Sequence, residues 1–200
     1  MGWVMFGEVV IILGAYLLGS LSSAVLVCRS LGGADPRSCG SGNPGATNVL
    51  RLVGKKAAAL TLLGDALKGF LPVWLGQALE LPPLILCLIL LASFLGHLFP
   101  IFFQFKGGKG VATAFGGLLA LSWQAGLAVL LIWILCFAIF RISSLAGLLS
   151  TLAAPFLVYY FYPHHIAIAT VSLMTLIIIW RHRSNIAKLI RGEEGKMGQP

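Results

Sequence analysis

Charge is what this chain has least of. Charged residues make up 10% of its 200 positions and apolar residues 58%, against about 25% and about 45–50% in an ordinary soluble domain. Mean hydropathy is +0.96. So few polar side chains cannot cover a water-soluble fold, and the same balance excludes a disordered chain. Lipid must be the main solvent. Acids are the scarcer sign: Asp and Glu total 6, and the aspartates are Asp35 and Asp65 alone. Two aspartates cannot build the multi-aspartate metal site of CDP-alcohol phosphotransferases. No His-x-x-x-x-Asp occurs at any histidine, which removes the usual signature of acyl-CoA-dependent acyltransferases. Without Gly-x-Ser-x-Gly, a Ser-His-Asp triad has only weak candidates. Cys28, Cys39, Cys87 and Cys136 are far apart with no Cys-x-x-Cys, so neither a disulfide framework nor a metal site is indicated. Cys28, Cys87 and Cys136 sit in apolar runs and read as apolar filler.

The excess of cations, a net charge of +8, contains no run of five basic residues. Nucleic acid is therefore not the indicated partner. A positive-inside bias, with an anionic lipid or substrate, accounts for the charge. Apolar stretches run over 3–27, 57–79, 84–103, 111–122, 125–140, 144–162 and 164–180. The first is not read as a cleavable signal, since it lacks a basic start, carries Glu8 and stays apolar too long. One helix over 111–140 would be about 45 Å long, too long for a span without steep tilt. A break at Ser122-Trp123-Gln124 is expected instead, and another at Pro163-His164-His165. With the N-terminus outside and seven helices, the inner segments are 28–56, 104–110, 141–143 and 181–200. These hold thirteen of the 14 Lys and Arg, Lys68 being the exception. The expected fold is therefore an all-α integral membrane protein of seven transmembrane helices, with the C-terminus cytoplasmic. The helix over 111–122 is short, about 18 Å, and must be sheltered by protein. Residues 1–200 read as one membrane-embedded domain, with 191–200 a frayed cytoplasmic tail.

Polar chemistry lies on the inner side. The first loop contains Ser38-Cys-Gly40-Ser41-Gly42-Asn43-Pro-Gly45-Ala-Thr47-Asn48, followed by Arg51. It matches Gly-x-Gly-x-x-Gly literally, but no strand precedes it and no βαβ unit holds it, so a dinucleotide fold is excluded. What survives is glycines that let backbone N–H groups converge on an anion. Asn43-Pro44-Gly45 should turn sharply, with a positive φ at Gly45. Thr47 or Asn48 should cap a short helix carrying Arg51. The plainer alternative is a flexible connector. The second loop, Lys106-Gly107-Gly108-Lys109-Gly110, opens a helix, where orphan N–H groups and the helix dipole favour phosphate. Its plainer alternative is a lysine pair on anionic lipid. Asp65 and Lys68 lie at i, i+3 in an apolar helix and either pair with each other or serve the site. His97 is either a hydrogen-bonded core residue or a substrate contact. Ser143 and Ser144 start a helix, as a cap or as a phosphate contact. Arg181-His182-Arg183-Ser184-Asn185 lies where a helix meets water, as an interfacial anchor or as part of the site.

Together these segments resemble the bacterial acyl-phosphate-dependent glycerol-3-phosphate acyltransferases. The likeness is strongest at Gly40–Arg51, at Gly96-His-Leu-Phe-Pro100 and at Phe105–Thr113. It extends to Asp65 with Lys68-Gly69, to Ser143-Ser144-Leu145 and to Arg181–Ile186. Ser184 departs, since relatives often carry an acid there. The resemblance implies transfer of a fatty acyl group from acyl-phosphate to the 1-hydroxyl of sn-glycerol 3-phosphate, giving lysophosphatidic acid and phosphate. That is the first acylation of phospholipid synthesis, in the bacterial cytoplasmic (inner) membrane with the site facing the cytoplasm. An acyl-phosphate-forming enzyme would act upstream.

Acyl-phosphate is a mixed anhydride with a good leaving group, so the chemistry calls for no cofactor, metal or covalent nucleophile. Positioning and charge neutralisation suffice. Acyl-phosphate is assigned to Ser38, Gly40, Ser41, Gly42, Asn43, Gly45, Thr47 and Asn48, with Arg51 on the departing phosphate. Glycerol 3-phosphate is assigned to Gly107, Gly108, Lys109, Gly110, Ser143 and His182, with Asn185. Arg51, Lys109, His182 and Asn185 carry the chemistry, and Asp65, Lys68, His97 and Ser144 support them. The reverse assignment of the two pockets stays open, as does the base, which is His182 or a substrate phosphate. Two other classes compete. A lipid-phosphate phosphatase needs an acid-supported histidine nucleophile, and an organophosphate transporter needs inverted repeats and polar residues on both membrane sides.

Overall fold

The structure is a computed structural model that describes residues 2–196, and side chains from 6 to 196. All regular structure among the described residues is helical. They fall into two compact units that divide between Leu121 and Ser122. The first unit contains α1 (Gly2–Gly19), α2 (Ser23–Ser30), α3 (Ala46–Leu52), α4 (Lys55–Ala78), α5 (Pro83–Leu98), a 3-10 turn (Ile101–Phe103) and α6 (Val111–Leu121). The second contains α7 (Trp123–Phe140), α8 (Ser143–Phe161), α9 (His165–Arg181) and α10 (Arg183–Ile190). Four helices are long and apolar enough to cross a membrane: α4, α5 with its extension to Phe103, α7 and α8. The bent pairs α1–α2 and α9–α10 pass the same test as pairs, and α6 is a shorter apolar helix. Each of the seven apolar stretches thus carries a helix.

In the first unit α4 is the hub, touching α1, α2, α3, α5 and α6. Small residues allow the close approach. A Cβ on Gly69 would strike the Thr113 carbonyl of α6, and one on Gly116 would strike the Ala66 carbonyl of α4. This packing shelters α6, whose Thr113, Gly116, Gly117, Leu118 and Leu121 are buried. Its last carbonyl, at Leu121, accepts from Gln77 Nε2 at 3.2 Å. A half-length helix in lipid needs such a partner for its orphan end. In the second unit α8 touches both α7 and α9. The expected breaks are present. Ser122 caps α7, its hydroxyl accepting from Ala125 N, and α9 starts at His165.

Two prolines sit inside helices, Pro72 in α4 and Pro155 in α8. Each removes the bond to the carbonyl four residues back. In both cases a neighbouring hydroxyl replaces it. Ser93 Oγ donates to Lys68 O at 2.6 Å, and Thr175 Oγ1 donates to Thr151 O at 3.1 Å. The first apolar stretch is not one helix: it bends by 46° between α1 and α2. Backbone freed at that break needs a donor, and Lys68 Nζ supplies one to Leu21 O at 2.8 Å. The one basic residue outside the inner segments therefore has a structural task.

Candidate functional site

The first glycine loop holds itself from within. Asn48, 1% exposed, uses its whole amide inside the loop. Oδ1 accepts from Ser41 N at 3.0 Å, while Nδ2 donates to Pro36 O at 2.9 Å and Cys39 O at 3.0 Å. Gly40 (φ 62°) and Gly42 (φ 69°) take the left-handed turns. Gly45 does not: it is extended (φ −137°). The turn at Asn43-Pro44-Gly45 is instead a three-residue one, Gly45 N donating to Asn43 O at 2.9 Å. Proline's fixed φ suits such a turn without any positive φ. The short helix carrying Arg51 is present as α3, but its N-cap is Gly45, with no side-chain cap. Thr47 and Asn48 lie inside the first turn. Ser38, Gly40, Ser41, Gly42 and Arg51 are exposed and Asn43 half-buried, so the groups proposed to meet an anion are accessible.

The loop's start is anchored by Arg37. Its Nη2 pairs with Asp35 Oδ2 at 2.7 Å, and Nε reaches Asp35 Oδ1 at 3.0 Å. Nη1 donates to Phe103 O at 3.2 Å, and the guanidinium lies 5.5 Å from the Phe103 ring centroid. The Arg37 hydrogen bonds lower the Asp35 carboxyl to about 2. Arg37 thus ties the first loop to the turn that leads into the second.

The second loop is held by close approach. Phe105 N donates to Pro100 O at 2.9 Å, and Gly108 N to His97 O at 3.2 Å. A Cβ on Gly107 would fall on the His97 and Leu98 carbonyl oxygens, and one on Gly108 on the His97 imidazole. Gly110 (φ 91°) precedes α6. Gly107, Gly108 and Gly110 are buried, and Lys109 is half-buried. Behind the loop, Lys68 Nζ pairs with Asp65 Oδ1 at 2.9 Å, and His97 Nδ1 lies 3.5 Å from the same oxygen. Asp65 and Lys68 do pair, and His97 joins them.

The second unit brings its candidates to a different anchor. His182 is the residue at the 60° bend between α9 and α10. It is buried, with Nδ1 2.8 Å from Ile178 O. That carbonyl can only accept, so Nδ1 carries the proton of the neutral ring and the lone pair falls on Nε2. Ser143 and Ser144 open α8, but the N-cap position belongs to Ile142. Ser144 Oγ and Asn185 Nδ2 each donate to Glu194 Oε1 at 2.6 Å. Glu194, with Glu193 one of the two acids that follow His182 in the sequence, is thus a neighbour of Ser144 and Asn185. Of the segment 191–200, residues 197–200 lie outside the described residues. Among the described residues no group of three or more His, Cys, Asp or Glu is placed to hold a metal ion, and none of Cys28, Cys39, Cys87 and Cys136 is in a disulfide.

Residues 9–192 match the family model for glycerol-3-phosphate acyltransferase. A glycerol-3-phosphate acyltransferase of Methylobacillus flagellatus is 55% identical over 191 residues, 95% of this chain and 97% of that one. One of Thioalkalivibrio sulfidiphilus is 53% identical over 188 residues, 94% of this chain and 93% of that one. The crystal structure of the glycerol 3-phosphate form of PlsY (YgiH), an integral membrane glycerol 3-phosphate acyltransferase, is similar with a TM-score of 0.91. It is 38% identical, with 96% of both chains covered. The lysophosphatidic acid form of PlsY is similar with a TM-score of 0.89.

Proposed function

The chain belongs to the glycerol-3-phosphate acyltransferase family, and on that premise we propose that it takes its acyl group from acyl-phosphate. The 1-hydroxyl oxygen of sn-glycerol 3-phosphate bonds to the acyl carbon. The bond from that carbon to the phosphate oxygen breaks, and lysophosphatidic acid and inorganic phosphate leave. The observation that carries this reading is the pair of glycine loops in the first unit, each with a cation beside it: Arg51 follows one and Lys109 lies in the other. Two phosphate-bearing substrates need two such places.

In this reading Ser38, Gly40, Ser41, Gly42, Asn43, Gly45 and Thr47 hold acyl-phosphate, with Asn48 shaping the loop. Arg51 meets charge developing on the departing phosphate. Glycerol 3-phosphate goes to Gly107, Gly108, Lys109 and Gly110, with Ser143, His182 and Asn185. The lone pair on His182 Nε2 takes the hydroxyl proton, the rival base being a substrate phosphate. Seven helices with the N-terminus outside would set both loops in the cytoplasm, at a bacterial inner membrane. There they would receive acyl-phosphate from the enzyme that makes it. Support for that orientation is the one-sided placement of Lys and Arg.

Purified protein in detergent, supplied with glycerol 3-phosphate and one donor at a time, tests the reading. Acyl-phosphate alone should give lysophosphatidic acid, and EDTA should leave the rate unchanged. Product from acyl-CoA or acyl-carrier protein, with none from acyl-phosphate, would refute the donor assignment.

A further inference from the structure

His97 has no part in the steps above, yet it is built into the second loop from two directions. Its own backbone supports the loop, since Gly108 N donates to His97 O at 3.2 Å. Its side chain does so too: a Cβ on Gly108 would land on Nε2 and lie 2.7 Å from Cε1. The opposite edge of the ring faces Asp65 Oδ1 at 3.5 Å from Nδ1. Asp65 is itself fixed by Lys68 at 2.9 Å, and Lys68 by Leu21 O at 2.8 Å. All three side chains are buried, at 3%, 4% and 7% exposure for Asp65, Lys68 and His97. A buried carboxylate beside one imidazole nitrogen fixes both the tautomer and the ring plane. The ring lies directly against the Gly108 backbone, where any added side-chain atom would meet it.

We propose that His97 is a positioning residue for glycerol 3-phosphate. Its imidazole, steered by Asp65, is the floor that sets the height of the Gly107-Gly108-Lys109 backbone. That height decides where the loop's N–H groups and the Lys109 ammonium meet the phosphate. The inference rests on the assignment of this loop to glycerol 3-phosphate. It makes a specific demand: removing the floor and thickening the loop are errors of opposite sign. His97→Ala lets the backbone sink, whereas Gly108→Ala lifts it. Together the new methyl fills part of the space the ring has left.

The test is the KM for glycerol 3-phosphate at saturating acyl-phosphate in the unaltered chain, H97A, G108A and the double variant. The KM for acyl-phosphate and the melting temperature are measured alongside. Each single variant should raise the KM for glycerol 3-phosphate roughly tenfold and leave that for acyl-phosphate within about twofold. The double variant should return to within about threefold of the unaltered chain. His97→Gln provides a second background: its flexible amide yields to the added methyl, so the Gly108→Ala penalty should fall there to about threefold. Penalties that multiply, to about a hundredfold in the double variant, would overturn the inference and leave the function standing. No turnover by the unaltered chain would overturn the function itself, and this inference with it.

Discussion

Gly42 and Gly107 are both glycines in polar loops, but they are glycines for opposite reasons. Gly42 has a left-handed φ of 69° and open space, the nearest atom to an added Cβ being Arg37 O at 3.5 Å. Gly107 lies outside the left-handed region and has no space, because the His97 and Leu98 carbonyls occupy it. The first loop is shaped by its own turns and by one internal amide. The second is shaped by what it rests on. A loop of the first kind is sensitive to backbone conformation and to Asn48. A loop of the second kind is sensitive to volume.

The largest effect should come from Asn48. Asn48→Asp keeps the shape but turns an acceptor toward the carbonyls of Pro36 and Cys39, each now unpaired at a cost of about 1–3 kcal/mol. We expect kcat/KM to fall at least about a hundredfold, with the melting temperature of the detergent-solubilised protein showing that the helices persist. An N48D protein within threefold of the unaltered one would mean that the first loop is held some other way.

Next comes a contrast in rescue. A left-handed φ costs an ordinary residue roughly 1–2 kcal/mol, and asparagine tolerates it better. Gly42→Asn should therefore be milder than Gly42→Ala, which itself should cost at most about tenfold in kcat/KM. At Gly107 the order disappears. Asn is larger than Ala and meets the same carbonyls, so both should lose at least about tenfold. Equal rescue by Asn at the two positions would erase the distinction.

The smallest effect concerns Arg37. Lysine cannot span Asp35 and Phe103 O together, so Arg37→Lys should cost about threefold in kcat/KM. The pH dependence has a definite sign. The Asp35 carboxyl lies at about 2 in the folded chain, below its ordinary value of about 3.9. The anchor's contribution is therefore complete above about pH 4 and is lost as pH falls toward 2. Melting temperatures of the unaltered chain and of Asp35→Asn should differ most above pH 4 and converge below it.

What the sequence reveals of this molecule is what is local. The breaks at Ser122 and at Pro163-His164 interrupt apolar runs with a capping residue and a proline. The helix carrying Arg51 follows a Gly-Asn-Pro-Gly turn. Features supported from far along the chain are not legible. The bend between α1 and α2 draws on Lys68, 47 residues from Leu21. Glu194 meets Ser144 across 50 residues, and nothing near either one marks the pairing. Composition does not rank the glycines: Gly40 and Gly42 turn left-handed while Gly45 stays extended, and the amide that braces the loop, Asn48, lies outside the Gly-x-Gly-x-x-Gly run. The last helix, by contrast, carries a local signal. Ile186, Leu189 and Ile190 recur at helical spacing after His182, and they mark α10, which bends by 60° from α9.

The claim that the two loops serve different phosphates is tested most directly by the two cations beside them. Lys109→Ala removes a charge-assisted hydrogen bond, about 1.5–3 kcal/mol. It should raise the KM for glycerol 3-phosphate roughly tenfold or more while that for acyl-phosphate moves much less. Arg51→Ala should instead lower kcat more than it raises either KM, because its guanidinium meets charge that develops as the phosphate departs. If Lys109→Ala weakened acyl-phosphate alone, the two substrates would have to be exchanged between the loops. If both variants were correctly inserted and fully active, neither loop would be a phosphate site.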